Sequence, residues 1–259
     1  MLKFNRILCL LYLLPTMVFA QTWQAKSTET QIAVLELFTS EGCGLCPAAD
    51  RFVEKLPEQG ITDQNLIVLG FHIDYLNDKK GWIDSFASPL FSERQRQLAQ
   101  LNLFESIYTP MFVISGEIIH IWQKYAKDVI KSINGFSPDS HIAFNVTEEK
   151  SQLKVKTTIE VKGAENRQFS VLYLAVTEDN IISKVSGGDN TGTIFNHQHL
   201  VRKWLGPFDL NSNGETDIST EIKLNESWNH NNLKLVAMVQ NLNDGFVLQG
   251  LSLPLTNKE

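Results

Sequence analysis

With 259 residues, 43% of them hydrophobic, the chain can bury a sizeable core and has the length for one large domain or two smaller ones. Its formal charge of −6 comes without any dense basic cluster, which argues against nucleic acid and anionic membrane surfaces as partners. Three cysteines are too few for the disulfide framework that staples small secreted domains.

Residues 1–20 set Lys3 and Arg6 before an apolar stretch at 7–14 and end in Val18-Phe19-Ala20, a small-residue cleavage pattern. The expectation is a removable secretory signal and an exported protein, periplasmic or secreted. The stretch is too short to span a bilayer, and no later run approaches the roughly 20 residues a membrane helix needs, so no span is expected in the mature chain. Cleavage would remove Cys9 and take the formal charge from −6 to −8, leaving Cys43 and Cys46 as the only cysteines. Residues 21–30 are polar and aperiodic and read as a leader, with order beginning near Gln31.

The run 32–38 is continuously apolar apart from Glu36 and reads as a buried parallel strand. It leads into Ser40-Glu41-Gly42-Cys43-Gly44-Leu45-Cys46-Pro47 and a helical pattern from about 46 to 57. Pro47 fits there because first-turn amides have no intrahelical partner to lose. Residues 65–72 predict a second buried strand and hence a right-handed βαβ unit, both strands ending on one edge of the sheet. His72 and Asp74 then belong near the cysteines. Loop or short helix follows at 79–88, a helix at 89–101, then Tyr108-Thr109-Pro110, strands at 111–115 and 118–122, and a helix near 125–134.

Past Gly135-Phe136-Ser137-Pro138 the texture changes. Segments at 142–146, 153–161, 169–177, 195–204, 216–224, 233–240 and 246–251 are separated by Gly, Asn, Asp and Ser turns, which predicts an antiparallel sandwich over 136–259.

Two cysteines two residues apart at a strand-to-helix junction point to redox chemistry. Unpaired amides and the positive dipole end stabilise a thiolate on Cys43, and Cys46 is close enough to close a disulfide that can be passed on by exchange. Cuprous ion also accepts soft thiolates at low coordination, so Cys43, Cys46 and His72 form an alternative copper-binding or copper-delivery set. A non-catalytic binding protein is the third reading. Zinc is a poor fit, since a structural site needs four ligands. His72 divides between a hydrogen-bonded structural role and a role in proton transfer or metal binding. His197, His199 and Arg202 fall on one alternating segment, with both histidines on the same face; such a pair can bind metal, but the simpler reading is a solvated face. Asp189-Asn190-Thr191-Gly192 reads as a turn.

The Cys43-Gly44-Leu45-Cys46 motif, the β-α-β-α-β-β-α order and Thr109-Pro110 before a hairpin make residues 31–135 resemble the thioredoxin superfamily. Glu36-Leu37-Phe38-Thr39-Ser40-Glu41-Gly42-Cys43, Phe71-His72-Ile73-Asp74-Tyr75, Phe86-Ala87-Ser88-Pro89, Gly188-Asp189-Asn190-Thr191-Gly192 and Leu200-Val201-Arg202 are similar to a secreted bacterial family catalogued as domain of unknown function 1223. The resemblance implies an α/β thioredoxin-like domain over 31–135 followed by an all-β antiparallel sandwich. It implies Cys43 as nucleophile, Cys46 as resolving thiol, Thr109-Pro110 as a cis-proline site beside them, no cofactor, and protein thiols or disulfides as partners. One departure concerns the buried acid of that superfamily. It stands six positions before the first cysteine, where this chain has Leu37, and Glu36 one position earlier would point to the other sheet face.

Overall fold

The computed structural model describes residues 21–78 and 81–256; the expected signal, with Cys9, lies outside them. The first element is β1 (Gln21–Lys26), a strand where the sequence predicts a leader. Next come β2 (Ala33–Thr39), α1 (Cys46–Glu54), β3 (Leu66–His72), α2 (Pro89–Leu101), β4 (Met111–Ile114), β5 (Glu117–Ile118) and α3 (Trp122–Ile133). The second half holds β6 (Ser140–Glu149), β7 (Gln152–Val161), α4 (Ala164–Phe169), β8 (Ser170–Glu178), β9 (Ile181–Lys184), β10 (Ile194–His197), β11 (Leu200–Asp209), β12 (Glu215–Lys223), β13 (Leu233–Asn241) and β14 (Val247–Pro254).

This order does not divide into an α/β thioredoxin-like domain and a separate all-β sandwich, and that expectation is corrected here. The described chain is mostly β, and its largest sheet interleaves both halves in the order β14-β13-β8-β11-β3-β2-β4-β5. β3 has no free edge. Beyond β2 on one side, it takes β11 in parallel on the other, where Leu200 pairs with Gly70 and the Gly70 amide donates to the His199 carbonyl at 2.8 Å.

The reason lies in the strands themselves. β8 is buried at every position, and β13 at every position but Lys234. Strands buried on both faces need cover on both, which a two-sheet sandwich cannot provide. Leu172, Leu174 and Val176 of β8, with Leu235, Ala237 and Val239 of β13, pack on one side against the alternating apolar residues of β6 and β7. β6 and β7 belong to the second sheet, ordered β1-β6-β7-β12. On the other side Val171, Tyr173, Ala175, Val236 and Met238 share a core with Val34, Phe38, Leu69 and Phe71 of β2 and β3 and with Phe91 and Leu98 of α2. The opposite face of β2, β3 and β4 is closed by α1 and α3, through Ala49, Val53, Trp122, Ala126 and Ile130.

Polar ties cross the same seam. The Gln31 side chain donates to the Val247 carbonyl at 2.6 Å, and the Ile32 amide to Gln249 Oε1 at 2.9 Å. Arg94 on α2 grips the Glu36 carboxylate with Nε and Nη2, both at 2.8 Å, and reaches Gln240 on β13 at 2.8 Å. Its guanidinium also lies against the stacked rings of Tyr173 and Trp204. Glu36 thus faces α2, away from α1.

Among the described residues no helix is long and apolar enough to cross a membrane.

Candidate functional site

The strand β2 ends in a turn before α1. The Cys43 amide donates to the Ser40 carbonyl, and the Cys46 amide to the Cys43 carbonyl, each at 3.1 Å, while the Gly42 amide takes Ser40 Oγ at 3.1 Å. No side chain caps α1. Its start is therefore closed by the turn that carries the cysteines.

Cys43 and Cys46 are joined by a disulfide, with Cα atoms 5.4 Å apart. Cys46 is fully buried, and Cys43 is 7% exposed. Between them Leu45 stands 73% exposed. Cys43 borders an open hollow of about 560 Å³ with Leu45, Leu76, Thr109 and Asp189. The Thr109–Pro110 peptide bond is cis, and Pro110 itself is buried. Cys43 and Thr109 thus meet at one surface.

His72 goes elsewhere. In β3 it shares the face of Leu66 and Val68, the side that α1 covers, and it pairs in register with Thr39 of β2. Beneath α1 lies a cavity of about 280 Å³ bordered by Thr39, Pro47, Asp50, Val68, His72, Phe195 and His197. His72 Nδ1 is 2.7 Å from Asp84 Oδ2, and His197 Nε2 is 2.9 Å from Glu41 Oε1. An ionised carboxylate only accepts, so each imidazole donates from that nitrogen. The rings stand nearly perpendicular with centroids 4.8 Å apart, and Phe86 sets its edge against both.

The two carboxylates tie this cluster to the cysteine turn. Asp84 Oδ2 accepts from the Glu41 amide at 2.9 Å, and Glu41 Oε2 from the Trp82 indole at 3.1 Å. The second half of the chain holds the turn as well. Asn190 Nδ2 donates to the carbonyls of Glu41 and Cys43 at 2.8 and 2.9 Å, and Asp189 lies over Gly44, where a β-carbon would come within 3.1 Å of its carboxylate.

Burial disfavours the His72 imidazolium, but Asp84 outweighs it and raises the His72 pKa above its ordinary 6.5. Burial would raise Asp84 too, yet His72 and the amides of Glu41 and Phe86 hold it below 3.8. Asp50 goes the other way. Burial raises its pKa above 3.8, against the pull of His72, His197, Thr39 and Arg51.

His197 and His199 do not share a strand face as expected. The chain breaks between β10 and β11, with His199 at φ 56°; His197 turns to Glu41, whereas His199 meets Asp179. His197 is buried, and His199 is half-buried against Asp179, where burial lowers its pKa. Asn190, read as a turn residue, is a clamp. No periodicity marks Glu41 or Asp84 in the sequence, whereas Asp50 carries a signal: it lies four residues after Cys46 on the same helix. Among the described residues no group of three or more His, Cys, Asp or Glu side chains is arranged to hold a metal ion, and the structure does not bring His72 into a set with the cysteines.

A family model described as protein of unknown function (DUF1223) matches residues 34–240, and the chain belongs to that family. A search among curated proteins gave no match. Two solved structures resemble the chain. One is a protein from Agrobacterium tumefaciens, 20% identical, covering 90% of this chain and 98% of its own, with a TM-score of 0.60. The other is HBP35 of Porphyromonas gingivalis, 17% identical, covering 90% of this chain and 80% of its own, with a TM-score of 0.69. At such identities the likeness speaks to fold alone.

Proposed function

We propose that this member of the DUF1223 family is an exported thiol-disulfide oxidoreductase working through the Cys43–Cys46 couple. The observation that carries the reading is the bonded cysteine pair at the start of α1, with Cys43 beside an open hollow and Cys46 fully buried. That asymmetry suits exchange, in which one thiolate meets an outside sulfur and the other resolves the mixed disulfide. The positive dipole end of α1 favours the Cys43 thiolate. Protein thiols or disulfides would enter over Leu45 and Thr109. The charged N-terminal stretch and cleavage pattern of residues 1–20 support export to an oxidising compartment, where such a couple is useful.

Equilibration with glutathione over a range of reduced-to-oxidised ratios tests this. A single two-electron transition, lost in both Cys43→Ser and Cys46→Ser, is expected. A pair that no physiological ratio of glutathione can reduce would instead mark an inert structural disulfide.

A further inference from the structure

Opening and closing a disulfide moves protons as well as electrons, and the burial of Cys46 makes that a structural problem. With 0% exposure it has no direct route to bulk water for its proton. Its own helix offers an acceptor. Asp50 follows four residues later on α1, and side chains so spaced lie on one face with Cβ atoms about 5–6 Å apart. Asp50 borders the cavity of about 280 Å³, as does Pro47 beside Cys46, and a space of that size with polar walls has room for water.

The groups around Asp50 come from every element packed there. His72 from β3, His197 from β10, Thr39 from β2 and Arg51 from its own helix border the same cavity and act on its charge. Glu54, one turn further along α1, borders the same cavity. Each imidazole has its outer nitrogen fixed on a buried carboxylate, Asp84 or Glu41, so the rings are held in place. Glu36, the acid nearest the cysteines on β2, cannot serve, because Arg94 holds it on the opposite sheet face.

We propose that Asp50, supported by His72 and His197, accepts the proton of the Cys46 thiol when the dithiol closes and returns it when the disulfide opens. The inference rests on the redox reading above. In the resolving step Cys43 is joined to a substrate sulfur. Cys46 gives its proton to the Asp50 carboxylate and attacks Cys43 Sγ; the Cys43–substrate S–S bond breaks as the Cys43–Cys46 bond forms, and the substrate leaves as a thiolate that takes a proton from water. Across both steps the two protein thiols are oxidised and one substrate disulfide is reduced to two thiols. A raised pKa suits Asp50 to this work, since it holds the proton more firmly than an exposed carboxylate would.

The test uses the reduced full-length protein and oxidised glutathione, with acid-quenched mass spectrometry following formation and loss of the glutathione adduct as pH is varied. In the wild type the closure rate should rise with pH through an inflection set by Asp50. Asp50→Asn should slow closure by about 10²-fold and remove the inflection, and Asp50→Glu should restore both in part. His72→Gln should move the inflection to higher pH, because the imidazolium favours the ionised carboxylate. Wild-type closure and an unmoved inflection in Asp50→Asn would overturn the proposal. Should that variant not fold, an unmoved inflection in His72→Gln would do the same. If the wild type forms no adduct and closes no disulfide, the redox reading itself falls, and this inference with it.

Discussion

At the scale of single residues, the His72–Asp84 pair gives the protein a defined pH signature. His72 has its pKa raised above 6.5, so its contribution to stability is full below that value and fades as pH rises through the folded-state pKa. Asp84 has its pKa lowered below 3.8, so its contribution is full above that value and is lost as pH falls through the folded-state pKa. The pair therefore stabilises most between 3.8 and 6.5. Urea denaturation of wild type and His72→Gln at a series of pH values should show the largest difference in that window, narrowing toward alkaline pH. A difference independent of pH would mean that the pair does not titrate as its surroundings dictate.

At the scale of elements, β14 approaches β2 and β3 most tightly at a glycine. β14 stands at the far end of the sheet from β4 and β5, yet Gly250 nests against β2 and β3, where a β-carbon would come within 2.8 Å of both Val34 and Ile67. A strand glycine marks such a close approach. Gly250→Val should lower stability by about 1–3 kcal/mol or more, as overpacked cores do, read as a reduced denaturant midpoint. Much of the element list is legible from sequence. The pattern at 89–101 predicts α2 with its boundaries, because Ser88 accepts from the Leu90 amide and Pro89 occupies the first turn. The runs of β2 and β3 are legible for the opposite reason, being apolar apart from Glu36 and the terminal Thr39 and His72. Val171-Leu172-Tyr173-Leu174-Ala175-Val176 carries the same cue of a strand buried on both faces, which a sandwich strand with one solvated face does not need. At the site, the cysteine motif is local and so visible. Its partners Asp84, Asn190 and His197 come from loops and a strand end, where no period marks a residue as buried.

For the whole molecule, the central core draws on α2, β2 and β3 from one half and on β8, β11, β13 and β14 from the other. Residues 31–135 expressed alone would expose that face and leave Glu36 and Arg94 without Gln240. The fragment should not reach a cooperative fold, whereas the chain from Gln21 onward should unfold in one transition that coincides by tryptophan fluorescence and far-ultraviolet circular dichroism. Two separated transitions would restore independent halves. Time enters through the same interleaving. Asn190, which holds the Cys43 carbonyl, lies 147 residues further along the chain. At about 5–20 residues per second, the cysteine turn is synthesised roughly 7–30 s before its clamp. The nascent thiols pass through that interval without the geometry that later holds them, so the finished site is among the last parts of the protein to exist.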